Sequence, residues 1–326
     1  MPVDILIENL VSPITMAFLL GVIATLIRSD LEIPEPVMRI FAIFLLFSIG
    51  LQGGQELAGA SIADLTGAAS TTAALVIGLP LLSFLVARYI LRLSIENAAG
   101  VAALYGSVSS VTFVVSRSYA ETMGTPMDGF ITALVALMEL GILVALFIGR
   151  LALSRASGET GGLGAILLET LRGRGLVLLG GGLIIGASIG ETNFSRIEPF
   201  FVDLFRGVLV LFLLEMGMTA AKQLREFARV GPIMTAFALM MPMINGAIGT
   251  LLGTLAGLSV GSAFVLGAVA ASASYIDAPA AVRATFPSAN PSIYLTSSLG
   301  ITFPFMLIVG VPAVYEMAVF WASTLN

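Results

Sequence analysis

The chain has 326 residues, of which 58% are hydrophobic and 11% charged, with a mean hydropathy of +1.04. That leaves too few charges to cover the surface of a soluble fold of this size. The absence of Cys and His excludes disulfides, Cys/His metal sites and imidazole acid–base chemistry. The net charge of −5 decides little, because membrane topology follows the position of Lys and Arg, not their sum.

Crossing a hydrocarbon core of roughly 30 Å takes about 20 apolar residues. Read from breaker to breaker, the sequence predicts ten spans, near 11–28, 37–56, 68–91, 97–118, 128–153, 174–191, 204–222, 232–256, 260–282 and 292–322. Met1 to Asn9 carries Asp4 and Glu8 and no base, unlike the positive start of a signal peptide. Placing both termini outside collects most Arg and Lys residues in cytoplasmic loops, among them Arg28, Arg88, Arg150, Lys222 and Arg283. The outer side keeps Arg117, Arg196 and Arg206. This bias is the one expected of a plasma (inner) membrane protein with its termini outside.

The second half of the chain repeats the first. Ser94 and Ser259, Ser107 and Ser272, Ser109 and Ser274, and Pro126 and Pro291 all share an offset of 165 residues (Ser94 to Ser259). Pro34 and Pro199 keep it, whereas Arg39, Leu46, Gly50 and Leu57 match Arg206, Leu213, Gly217 and Leu224 at an offset of 167 (Arg39 to Arg206). The expected organisation is a five-span repeat over 1–153, a cytoplasmic connection over 154–173 and a second repeat over 174–326. Because five is odd, the second repeat enters from the opposite face and the repeats are inverted. The predicted fold is therefore an all-α integral membrane protein of about ten transmembrane helices in two inverted five-helix repeats. Secondary transporters have this layout, with the substrate site between the halves.

The fourth and ninth spans are the unusual ones. The fourth carries Gly106, Ser107, Ser109, Ser110 and Thr112; the ninth carries Ser272, Ser274, Asp277 and then Pro279. Small and hydroxylated residues serve close helix packing in membranes. Their paired occurrence in both halves favours broken helices that line a site, since non-helical backbone is tolerated at membrane depth only where protein or a cavity surrounds it. Half-helix N-termini would stabilise an anion there, and carbonyl and hydroxyl oxygens would hold Na⁺, with Ser109, Thr112, Ser274 and Asp277 as its expected ligands. Glu139 and Glu215 are further acids inside apolar spans and are costly there. They read as Na⁺ ligands, proton carriers, or neutral groups bonded to a neighbouring helix. Arg117 and Arg283 end the two special spans and read as interfacial anchors, with steering of an anion as the alternative.

The run Ala270-Ala271-Ser272, Ser274, Ile276, Pro279, then Arg283, Ala284 and Pro287 to Ser292, resembles the SbtA-type sodium-dependent bicarbonate transporters. So do Phe205-Arg206-Gly207 with Met216-Gly217-Met218, and Ile49-Gly50-Leu51 with Gly53-Gly54. The resemblance runs nearly the whole length. It implies a core and a gate domain, a homotrimer, Na⁺-coupled bicarbonate uptake and a PII-like cytosolic regulator as partner. It also carries over Gly106, Ser109, Thr112, Ser272, Ser274 and Pro279 as motif positions. The chain departs from that family at Tyr275, where its cyanobacterial members carry Asp; at Asp277, where they carry Ser; and at Ser110 and Val111, where they carry smaller residues. Its 154–173 connection is also shorter.

The leading expectation is a symporter that imports bicarbonate with Na⁺ by alternating access, not an enzyme and not a nucleic-acid binder. The alternatives are a Na⁺-coupled carrier of another small anion or carboxylate, and an anion channel.

Overall fold

A computed structural model describes residues 13–58, 62–157, 172, 174–224, 227–275 and 277–325. Among the described residues it is helical throughout, with no strand. Helix occupies most of each stretch read as a span, with breaks inside the fourth and ninth; against the ten spans expected, six segments among the described residues are both long and apolar enough to cross a membrane: Glu35–Gln55, Gly67–Ile90, Ile95–Thr122, Ile131–Arg155, Gly231–Leu255 and Pro291–Leu325. The apolar helices Thr15–Leu26 and Val260–Ala270 are shorter. Val260–Ala270 has 11 residues, which at 1.5 Å per residue reach about halfway through the hydrocarbon core. Completing a crossing there requires the continuation Asp277–Thr285.

Two sharp breaks fall close to the ends of spans read from the sequence, 174–191 and 232–256. Gly190 (φ 70°) kinks Arg174–Glu198 and Gly231 (φ 80°) kinks Phe227–Leu255, both in backbone conformations that a side chain disfavours. One break was not expected. Within the fifth stretch, Ile131–Met138 and Gly141–Ser157 are separated by a turn at Glu139 and Leu140. The helix Gly141–Ser157 runs into the expected connection, most of whose remainder lies outside the described residues.

The helices pack in two groups. Pro13–Leu26 lies along Phe205–Leu224, and Glu35–Ala58 along Arg174–Glu198. These contacts are close because small residues let backbones meet. A Cβ added to Gly21 would lie 1.9 Å from the Leu214 carbonyl oxygen, and one added to Gly217 would lie 2.0 Å from that of Phe18. The remaining helices form the second group, which meets the first where Glu35–Ala58 contacts Ile131–Met138 and where Phe205–Leu224 contacts Thr296–Thr302.

The structure explains part of the internal repetition. Ser94 and Ser259 are both helix N-caps, accepting the N–H of Asn97 and of Ser262. Their first turns are tied to the other half of the chain in matching ways. Asn97 Oδ1 accepts the Asn290 N–H at 2.7 Å, and Ser262 Oγ accepts the Asp128 N–H at 2.8 Å. The Ser259 and Ser262 hydroxyls also donate to Asp128 Oδ2, at 2.8 and 2.6 Å. This puts a carboxylate at a helix N-terminus, where the backbone dipole favours it.

Candidate functional site

The first interruption begins where Ile95–Tyr105 ends at Gly106. Ser107, Val108 and Ser109 leave the helix, and a new one starts at Ser110. The Ser109 side chain caps it, accepting the Thr112 N–H at 3.1 Å. In the second interruption, Val260–Ala270 gives way to non-helical backbone at Ser272, Ala273 and Ser274, and helix resumes at Asp277–Thr285. Here Ser274 Oγ accepts the Ala278 N–H at 3.4 Å.

Two backbone donors lock the interruptions together. Ser109 N–H donates to Ser272 Oγ at 2.8 Å, and Ser274 N–H donates to the Leu104 carbonyl at 2.8 Å. The Ser272 hydroxyl itself donates to the Val269 carbonyl at 2.6 Å. A carbonyl at one helix C-terminus, an N–H at the opposite helix start and one hydroxyl thus satisfy groups that the breaks leave orphaned. Ser107, Ser109, Thr112, Ser272 and Ser274 are all buried. Ser110, at the first helical position, is half-buried.

Glu139 joins this cluster from the unexpected turn. It is buried, and Ser107 Oγ donates to its Oε2 at 2.8 Å. The turn sits tight on the first break: a Cβ on Gly141 would lie 1.8 Å from the Gly106 carbonyl oxygen. Gly106 itself has no room for a side chain, since a Cβ there would meet Pro80 Cα at 2.5 Å. Glu215 is a different case. It is half-buried on Phe205–Leu224 and accepts the Thr219 hydroxyl of its own helix at 3.3 Å. Asp277 opens its helix, but its side chain lies outside the described residues.

Tyr275 was noted in the sequence only as a departure, yet it takes a central position. Its phenol shares a short hydrogen bond with the Ser109 hydroxyl, at the N-terminus of Ser110–Thr122. Its ring packs on Phe303 with centroids 4.8 Å apart, and Phe303 meets Phe18 edge-on at 5.1 Å. A contact chain therefore runs from the crossing to the other helix group.

Sequence reading also missed a buried polar support around Tyr105. Pro242 lacks an N–H, so the Ala238 carbonyl four residues earlier has no intrahelical donor. Thr302 Oγ1 supplies one at 2.6 Å, and the Tyr105 hydroxyl in turn donates to Thr302 at 2.7 Å. Asn245 Nδ2 donates to the Tyr105 carbonyl at 3.2 Å, satisfying the end of the first half-helix. Pro242, within an apolar span, was the available signal; its partners are distant in sequence. Thr302→Val keeps the shape and removes both bonds, which is expected to destabilise the protein by about 2 kcal/mol. Denaturation in detergent, followed by circular dichroism, measures it.

The arrangement can bind charged species without a soft metal centre. Among the described residues no group of three or more His, Cys, Asp or Glu side chains converges; the crossing offers hydroxyls, backbone carbonyls and N–H groups. A comparison with curated proteins returned no match. A family model described as the Na⁺-dependent bicarbonate transporter superfamily matches residues 13–319. With nearly the whole chain covered, apolar helices throughout and two interrupted helices crossing between its halves, the protein is a multi-pass membrane protein that belongs to the Na⁺-dependent bicarbonate transporter superfamily.

Proposed function

We propose that the chain is a Na⁺-coupled symporter that imports bicarbonate by alternating access, built from ten spans in two inverted repeats with both termini outside. The observation that carries this reading is the crossing of two interrupted helices at matched positions of the two halves. The reciprocal pairing of Pro13–Leu26 with Phe205–Leu224 and of Glu35–Ala58 with Arg174–Glu198 supports the inverted repeat. Each of these pairs joins one helix from either half.

In this mechanism the anion rests against the N-termini of Ser110–Thr122 and Asp277–Thr285, whose backbone N–H groups and positive dipole ends stabilise it. Gly106 gives the backbone close access, while Ser107, Ser109, Ser110, Thr112, Ser272 and Ser274 line the site. Ser109, Thr112, Ser274 and Asp277 supply hard oxygens for Na⁺, which neutralises the anion's charge inside the low-dielectric protein. Tyr275 holds the Ser109 hydroxyl when the site is empty of cargo and yields it on binding. The chain from Tyr275 through Phe303 to Phe18 conveys that change to the helix group that moves. Glu139 orients Ser107. The resemblance further suggests a homotrimer with a PII-like regulator on its cytoplasmic side.

Uptake of radiolabelled bicarbonate into proteoliposomes, at fixed pH with and without an inward Na⁺ gradient, tests the reading. The expected result is saturable uptake that collapses when Na⁺ is withdrawn. Flux independent of Na⁺ and without saturation would instead identify an anion channel. The Tyr275 phenol against Ser109 favours a second reading, in which the cargo is another small anion or carboxylate. Counterflow against a panel of anions separates the two.

A further inference from the structure

The crossing has two faces of opposite polarity. Ser110–Thr122 and Asp277–Thr285 begin there and turn positive dipole ends on it, whereas Ile95–Tyr105 and Val260–Ala270 end there and present negative ones. The reading above uses the positive face for the anion. A single helix, Phe227–Leu255, packs on both negative ends. Its Asn245 Nδ2 donates to the Tyr105 carbonyl at 3.2 Å. A Cβ on the next residue, Gly246, would lie 3.1 Å from Ala271 Cβ and 3.6 Å from the Gly267 carbonyl oxygen.

Asn245 sits here with half of its amide unused. The side chain has no solvent exposure, and its Oδ1 has no hydrogen-bond partner among the described residues. Reversing the amide does not repair this, because Oδ1 would then face the Tyr105 carbonyl, oxygen against oxygen. Amide geometry keeps Oδ1 within roughly 5.5 Å of that carbonyl oxygen. A bare amide oxygen is costly to bury, and this one lies between two helix ends that both carry partial negative charge. The residues that touch Asn245 and Gly246 there, Tyr105, Gly267, Ala271 and Val314, are all uncharged.

The donors set the class of ligand. Amide and main-chain carbonyl oxygens are hard and neutral, which suits an alkali cation and not a soft metal or a divalent ion that needs carboxylates. The close packing of Gly246, Gly267 and Ala271 favours the smaller Na⁺ over K⁺.

We propose that Asn245 Oδ1 is a Na⁺ ligand at a second cation site, completed by main-chain carbonyls that end Ile95–Tyr105 and Val260–Ala270. The set Ser109, Thr112, Ser274 and Asp277 belongs to the opposite, N-terminal face of the crossing. The proposal rests on the Na⁺-coupled reading above and extends it. With Na⁺ held on both faces, each bicarbonate travels with two Na⁺ and the cycle moves net positive charge inward.

The test melts purified protein across a Na⁺ titration, without bicarbonate and with K⁺ holding ionic strength constant, then measures proteoliposome uptake against external Na⁺. Reading the difference between the two cations removes any general destabilisation that a substitution causes. Wild-type protein is expected to be stabilised by Na⁺ and not by K⁺, and its uptake should rise with a Hill coefficient of about 2. Asn245→Leu is expected to bring that coefficient to about 1 and to remove most of the Na⁺-dependent stabilisation. Asn245→Asp puts a carboxylate beside the ion and is expected to lower the half-saturating Na⁺ about tenfold. That opposite sign is not produced by lost packing, and the Asp variant decides alone if Asn245→Leu does not fold. Ser109→Leu, which should not transport, is expected to keep the Asn245-dependent stabilisation. Na⁺-specific, Asn245-dependent stabilisation of a wild-type protein that takes up no bicarbonate would support the site and refute the transport reading. Na⁺-driven uptake with half-saturation and Hill coefficient unchanged in the Asn245 variants would uphold the reading and overturn the site. Equal stabilisation by Na⁺ and K⁺ also overturns it.

Discussion

Ser109→Leu is expected to abolish Na⁺-driven uptake while leaving a folded, membrane-inserted protein. The position is 3% exposed and lies where the two breaks cross. Leu removes the oxygen that caps Ser110–Thr122 and that meets Tyr275, and it fills the space at the helix N-terminus. Losing the cap costs about 1 kcal/mol, which is small beside the stability of a helical bundle of this size. The backbone N–H to Ser272 is retained, so the crossing itself persists. Ser109→Ala is the control: it loses the cap without adding bulk, and should retain part of the activity if the added volume is what blocks the site. Uptake per folded protein, judged by size-exclusion profile and circular dichroism, makes the comparison. Ser274→Leu should behave like Ser109→Leu. Normal transport by either Leu variant would move the site elsewhere.

Gly141→Val is expected to have the largest effect on folding and to eliminate uptake. No ordinary contact accommodates a Cβ 1.8 Å from the Gly106 carbonyl oxygen; the Glu139–Gly141 turn or the Gly106–Ser109 segment must move. Overpacking of this kind costs about 1–3 kcal/mol before the displaced hydrogen bonds are counted. The movement would also separate Ser107 from Glu139. Gly78→Ala is a control, because nothing lies within 4 Å of the added Cβ and Ala is the better helix former. A thermal melt of the two variants in the same detergent decides. A Gly141→Val protein as stable as wild type would mean that this close approach does not constrain the site.

Much of the site's backbone was legible in the chain alone. Hydropathy runs locate helices because a bilayer requires continuous apolar segments with internally bonded backbone. The serines spaced 165 residues apart (Ser109 to Ser274) marked the two breaks because hydroxyls replace backbone partners that an interrupted helix loses. Ser94 and Ser259 are legible for the same reason, since an N-cap acts on residues two or three positions away. All of these are short-range consequences of residue type.

What the sequence by itself determined, then, is a membrane-embedded helical chain with matched halves and hydroxyl-rich breaks in both. The tertiary structure alone decided which groups those breaks meet. It brought Glu139 to Ser107 but left Glu215 on its own helix, and it set the Tyr275 phenol on the Ser109 hydroxyl. It also gave the carbonyl freed by Pro242 to Thr302, and placed Arg206 beside Glu121, 85 residues earlier in the chain. Periodicity and hydropathy report how a residue relates to its own helix and to the bilayer. These partners are chosen by how separate helices cross, and that depends on packing between surfaces far apart in sequence.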